Sequence, residues 1–208
     1  MDIATIANRA PVIPVLTIER VADAVPLARA LVKGGLPVLE VTLRTPVALD
    51  ALRAMGAEVP GAILGAGTVL NAAQLDQAKR AGARFLVSPG CSRGLAEAAQ
   101  ASGLPFLPGV QTVSEAMALS DQGFRLMKFF PADQAGGPGW LRAVAAPLAG
   151  LKFCPTGGIG ADNAPSYLAL PNVACVGGSW VAPRDAVAAG DWQEIERLAA
   201  AAANLKRR

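Results

Sequence analysis

The stretch Pro11 to Leu43, PVIPVLTIERVADAVPLARALVKGGLPVLEVTL, decides how this chain folds. It opens on an apolar run, Pro11 to Leu16. It continues through an Ala-rich amphipathic segment, VADAVPLARALVKGG, and closes on a second apolar run, Pro37 to Leu43. Two strands joined by a helix of that length lie parallel, because such a crossover carries the chain back to the edge where it started. The same rhythm continues along the chain. Strand-like runs fall at Ala62 to Ala66, Arg84 to Val87, Pro105 to Val110, Leu126 to Phe130, Leu151 to Cys154 and Val173 to Val176, with starts roughly 20 to 26 residues apart. Segments such as PVALDALRAMGAEV and NAAQLDQAKRAGA lie between them, and several open on a capping residue or a proline and end in glycine.

Eight such units predict an α/β fold, a single (β/α)8 TIM barrel near the short end of the lengths that fold adopts. An open doubly wound sheet is the alternative, but no GxGxxG phosphate fingerprint follows the first strand. Met1 to Arg9 are expected to form a short N-terminal helix over the N-terminal end of the barrel. Residues 1–208 read as one domain, without a linker or a low-complexity tract.

Of the 208 residues 52% are hydrophobic, 17% are charged and none is histidine. The usual general base and the commonest zinc ligand are therefore missing, which disfavours a zinc hydrolase or a zinc-dependent aldolase. Proton transfer falls to Asp, Glu, Lys, a thiol, water or the single Tyr167. Magnesium bound by oxygens alone stays open. Cys91, Cys154 and Cys175 are odd in number and lack metal-like spacing, so they read as reduced thiols of a cytoplasmic protein. Neither a signal peptide nor an apolar run long enough to span a membrane is present. The net charge is +3, aromatics make up 5%, and the one basic cluster is Lys206 to Arg208. That balance points to a small anionic ligand, with no nucleic acid and no membrane as partner.

The chemistry is concentrated in Met127-Lys128-Phe129-Phe130-Pro131-Ala132. Alternation sends Lys128 the same way as Leu126 and Phe130, and Met127 and Phe129 the other way. Apolar surroundings should lower the pKa of Lys128 and favour the neutral amine, the form that attacks a carbonyl to make a Schiff base. The plainer reading is a snorkelling lysine on an edge strand. In Val38 to Arg44, alternation turns Glu40, Thr42 and Arg44 with Val38 toward the interior, near the strand end where barrel sites are built. Glu40 and Arg44 form either a structural ion pair or, with Lys128 aimed into the same interior, part of a site. In the second case Glu40 is the candidate base, and Arg44 offers a planar fork for a carboxylate. Thr68 supplies a hydroxyl, caps the segment starting at Val69, or does both. Lys152 sits at a strand start, on the stability face, and Lys33, Lys79 and Lys206 lie in polar helical or terminal settings.

The last two strands run into glycine-rich turns, Thr156-Gly157-Gly158-Ile159-Gly160 and Gly177-Gly178-Ser179-Trp180. Paired glycines let backbone N–H groups approach a ligand, and in a barrel these loops are the usual phosphate position. A phosphorylated substrate is the expectation.

With LEVTLRT, GAGTVL, KFFPA, CPTGGI and GGSW in this order from Pro11 to Trp180, the chain resembles the 2-keto-3-deoxy-6-phosphogluconate (KDPG) and 4-hydroxy-2-oxoglutarate aldolase family. The resemblance implies a homotrimeric barrel without metal or organic cofactor that cleaves the phosphorylated keto acid to pyruvate and glyceraldehyde 3-phosphate in the Entner-Doudoroff route. It implies Lys128 as the Schiff-base residue and Glu40 as the group that moves protons through a water. Arg44 and Thr68 then hold the pyruvyl carboxylate, and Thr156, Gly157, Gly158, Gly178 and Ser179 meet the distal hydroxyls and phosphate. Thr17 stands where some relatives carry an Arg that reaches the phosphate, and Gln111 and Cys91 bear on sugar stereochemistry. The alternatives are an aldolase for the galactonate epimer or for 4-hydroxy-2-oxoglutarate, and a phosphosugar isomerase or epimerase, which has no need of a nucleophilic lysine. A phosphate-binding protein without activity would keep the glycine turns and lose Lys128 or Glu40, and both are present.

Overall fold

The structure, a computed structural model, describes residues 1–207; Arg208, the last of the terminal basic cluster, lies outside them. Its strands are β1 (Val12–Leu16), β2 (Val38–Thr42), β3 (Ile63–Gly67), β4 (Phe85–Val87), β5 (Phe106–Leu107), β6 (Gly109–Val110), β7 (Leu126–Phe129), β8 (Lys152–Pro155) and β9 (Val176–Gly178). They form two parallel sheets, a curled six-stranded one in the order β5-β4-β3-β2-β1-β9 and a three-stranded one in the order β6-β7-β8. Helices intervene between most successive strands, as the crossover argument requires.

The expected run Pro105 to Val110 is split in two because Pro108 has no N–H to give to a ladder. Its carbonyl still accepts the Lys128 N–H at 2.8 Å. The last strand lies further along than expected. Val173 makes only an isolated bridge to Phe153, whereas Val176, Gly177 and Gly178 pair with β1. Among the described residues, the end of the small sheet pairs with the β9 segment through two isolated bridges, Phe153 to Val173 and Thr156 to Gly177, and not through a continuous ladder.

Alternation sorts the side chains into two cores. Leu39, Val41, Leu64, Leu86, Met127 and Phe129 pack outward against the helices. Ile13, Val38, Ile63, Phe85 and Leu126 pack inward against one another, and Ile6 and Ala7 of the N-terminal helix Ile3–Ala7 join them. Each large apolar side chain so buried contributes about 1.5–3 kcal/mol. On its outer face β7 is further fixed by Phe129, stacked on Trp140 at 4.3 Å between ring centroids. The strand that carries Lys128 is thus held from behind. Lys152, at the opposite end of its strand, is exposed and donates to the Pro171 carbonyl, so it serves the fold.

Candidate active site

Inward residues share registers across neighbouring strands. Val15, Glu40, Gly65 and Phe85 stand side by side on β1 to β4, and Gly109, Lys128 and Cys154 on β6 to β8. The two series meet at one contact. Lys128 Nζ donates to Glu40 Oε1 at 3.1 Å and Oε2 at 3.4 Å, and both side chains are 3% exposed. Glycine makes the room for it, since a Cβ on Gly67 would fall 2.2 Å from Glu40 Oε1 and 2.5 Å from its Cγ. Phe130 covers the amine, its ring centroid 5.6 Å from Nζ. The fold thus brings the carboxylate that alternation turned toward the interior into direct contact with the amine.

This contact decides between the two readings of Glu40. Glu40 pairs with Lys128, not with Arg44, because β2 ends at Thr42 and the chain turns before Arg44, leaving that side chain exposed. Arg44 Nε instead donates to Thr68 Oγ1 at 3.1 Å. Thr42 does stay inward, where its hydroxyl donates to the Leu16 carbonyl at 2.8 Å and lies 3.3 Å from Thr17 Oγ1. Thr68 does not cap a helix. The helix Ala72–Arg80 is capped by Asn71, whose side chain accepts the Gln74 N–H at 2.9 Å. Thr68 holds φ at 58°, a left-handed conformation that costs a β-branched residue about 1–3 kcal/mol and here turns its hydroxyl toward Arg44.

A cleft of about 590 Å³ opens beside the buried pair. Thr17, Arg44 and Phe130 line it together with Thr156 and both glycine turns. Thr156 is buried, its hydroxyl fitted against Gly177, where a Cβ would approach to 2.3 Å. Gly157 and Gly158 have φ of 99° and 72°, which L side chains rarely adopt. Among the described residues the amides of Gly157, Gly158, Ile159 and Ser179 donate to no other group, and the Ser179 hydroxyl, exposed at the end of β9, has no partner. Sequence reasoning missed Arg184, which also lines the cleft; the signal for it is a cation five residues beyond the GGS turn.

Two of the three thiols are poorly placed to compete with the amine as nucleophiles. Burial pushes Cys91 up to about 11, and Cys175 is held well above the usual thiol range by its hydrogen bond to Cys154 and by burial. Cys91 therefore carries about 100-fold less thiolate near neutral pH than an unperturbed thiol. Iodoacetamide is expected to alkylate it about that much more slowly in the folded chain than in the denatured one, with a tenfold rise per pH unit. Equal rates in the two states would contradict that burial.

A parallel α/β scaffold with a lysine and a carboxylate buried in contact beside a polar cleft is the arrangement of an aldolase. The comparisons with known proteins agree. The family model for KDPG and KHG aldolase matches residues 3–198. The chain is 52% identical over 192 residues to a 2-dehydro-3-deoxy-phosphogluconate aldolase of Pseudoalteromonas atlantica, covering 92% of this chain and 89% of that one. It is 51% identical over 195 residues to the KHG/KDPG aldolase of Escherichia coli K12, covering 94% and 92%. It superposes with a TM-score of 0.95 and 47% identity on KDPG aldolase from Legionella pneumophila, solved with pyruvate captured at low pH as a covalent carbinolamine intermediate, covering 97% and 98%. The 2-keto-3-deoxy-6-phosphogluconate aldolase of Zymomonas mobilis ZM4, solved with 3-phosphoglycerate, matches with a TM-score of 0.95 and 50% identity, covering 99% and 97%. The protein is an aldehyde-lyase. It belongs to the KDPG and KHG aldolase family.

Proposed function

We propose that this chain cleaves 2-keto-3-deoxy-6-phosphogluconate to pyruvate and glyceraldehyde 3-phosphate through a Schiff base on Lys128, with Glu40 moving the protons. The observation that carries this reading is the buried contact of Lys128 Nζ with Glu40 Oε1 at 3.1 Å, next to a cleft walled by glycine turns with free amides. Arg44 and Thr68, joined to each other, take the substrate carboxylate at one side. The amides of Gly157, Gly158 and Ser179, with Gly178 and Thr156 behind them, take the distal hydroxyls and phosphate.

The cycle begins when Glu40 accepts a proton from the amine. Neutral Lys128 adds to the C2 ketone, and Glu40 gives its proton back to the departing hydroxyl as the carbinolamine loses water, which leaves an iminium and a Glu40 carboxylate. Glu40, through a water, then removes the C4 hydroxyl proton; the C3–C4 bond breaks, its electron pair enters the enamine, and the aldehyde leaves. Protonation at C3 and hydrolysis release pyruvate and restore the lysine. No step calls on a metal ion or an organic cofactor.

The same reading takes residues 1–208 as one aldolase domain and the two sheets as one eight-stranded (β/α)8 barrel, with Phe106 to Val110 a single strand interrupted at Pro108. The bridges of Phe153 to Val173 and Thr156 to Gly177 support that closure. It also takes the working enzyme as a homotrimer, as the family resemblance implies, and places it in the cytoplasm, where its three thiols stay reduced. Treating the protein with pyruvate and borohydride and mapping the adduct by mass spectrometry tests the chemistry. Label is expected on Lys128 alone. Label on Lys152, or on no lysine, overturns the Schiff-base assignment.

A further inference from the structure

Only two charged side chains line the cleft among the described residues, Arg44 and Arg184. Arg44 is tied to Thr68 at the side given to the carboxylate. Arg184 opens the helix Arg184–Ala189, just past the turn Gly177-Gly178-Ser179, and Ala182 and Pro183 before it also line the cleft. Its side chain is 86% exposed, and its one partner is Glu19, from the loop after β1, with Nη2 2.6 Å from Oε1. The free amides nearby supply hydrogen bonds to a phosphate but no full positive charge, and a phosphate monoester carries nearly two negative charges at neutral pH. Thr17, on the same wall, adds no charge.

We propose that Arg184 is the side-chain cation that takes the substrate's phosphate, and that Glu19 is its resting partner, displaced as the phosphate arrives. This rests on the aldolase reading above and adds to it a determinant of specificity. An exposed carboxylate holds a guanidinium weakly, whereas a phosphate presents more charge and can accept two parallel N–H bonds from the guanidinium fork. The exchange costs little and leaves Arg184 free at the cleft that the amides of Gly158 and Ser179 also line. Glu19 then acts as a competitor for the same cation. It sets how much a substrate gains from being phosphorylated.

The test compares kcat/KM for the phosphorylated keto acid with that for 2-keto-3-deoxygluconate, the same acid without its phosphate. Arg184→Ala is expected to lower the ratio of the two about 30-fold, chiefly through KM for the phosphorylated substrate, and to flatten the dependence of that KM on salt. Arg184→Lys is expected to restore part of the ratio, since it returns the charge without the fork. Glu19→Gln is expected to raise the ratio severalfold and to strengthen competitive inhibition by inorganic phosphate, which Arg184→Ala weakens. An unchanged ratio in Arg184→Ala, or an equal fall for both substrates, overturns the assignment. Borohydride trapping of pyruvate separates the two levels. If trapping labels Lys128 and the ratio does not move, this inference alone fails; if the wild type traps nothing, the aldolase reading fails and takes this inference with it.

Discussion

Lys128→Ala is expected to lower kcat by about 10⁴-fold or more, because the route through a covalent iminium disappears and nothing else in the cleft can replace it. Two of the three thiols, Cys91 and Cys175, are held toward their protonated forms, Cys91 by burial and Cys175 by its hydrogen bond to Cys154 and by burial. Part of the change concerns the fold, since alanine leaves Glu40, 2% exposed, without a counter-charge. Breaking a buried ion pair from one side costs about 3–5 kcal/mol. Lys128→Arg separates the two effects. A guanidinium keeps a positive charge opposite Glu40 but does not add to a ketone, so this variant is expected to be as inactive as the alanine while recovering much of the lost melting temperature. Activity above a hundredth of wild type in either protein, measured by coupled detection of pyruvate, sinks the covalent mechanism.

Glu40→Gln carries the second-largest expected effect. Glutamine keeps an acceptor oxygen facing Lys128 Nζ and changes little in shape, so the pocket beside Gly67 still accommodates it. It cannot take up a proton. Cleavage of the C3–C4 bond and exchange of the pyruvate methyl protons are expected to slow by about 10²-fold or more, the typical worth of a positioned acid or base. Borohydride is still expected to trap pyruvate on Lys128 after long incubation. Exchange followed by NMR in deuterated water decides the matter: methyl exchange at the wild-type rate would remove Glu40 from its role as base.

The glycine turns are poor places to probe phosphate recognition by substitution. A Cβ on Gly158 would lie 2.5 Å from Asp133 Cβ, and one on Gly178 would lie 1.8 Å from the Trp180 ring. Asp133 belongs to the loop that leaves the end of β7, so a larger residue at 158 would push on the segment holding Lys128 and Phe130. Loss of activity in such a variant would not single out the phosphate. Arg184 and Ser179, both exposed side chains, can be changed without moving the backbone beneath them.

Much of this arrangement was legible in the sequence because period-2 alternation is a property of the strand itself. It sent Leu126 and Lys128 inward and Met127 and Phe129 toward the helices, as the two cores confirm. It did the same for Val38 against Leu39 and Val41. It failed at Arg44, because alternation holds only while the strand lasts and β2 gives way to a turn after Thr42. Of the two roles open to Thr68, the hydroxyl toward Arg44 is seen and the helix cap is not, for a related reason. Its left-handed backbone sets the direction of the chain, and Asn71, three residues later, receives the helix N–H. The contact of Lys128 with Glu40 spans 88 residues and depends on a glycine at 67 on a third strand, which no local pattern reports. Arg184 lay outside every motif, and only the folded chain brings it to the cleft.

The amine and its carboxylate ride on different sheets, Lys128 on the three-stranded one and Glu40 on the six-stranded one. On one side those sheets are joined through Pro108, which donates no ladder bond, and on the other by two isolated bridges. These junctions hold fewer hydrogen bonds than the sheets they connect, and local opening follows such weak lines before it reaches packed strands. A hinge of a few tenths of an ångström along either junction acts on the distance between Nζ and Oε1 while leaving every strand intact. The distance between the amine and its carboxylate is therefore set by how the two sheets are joined, and not by either sheet alone.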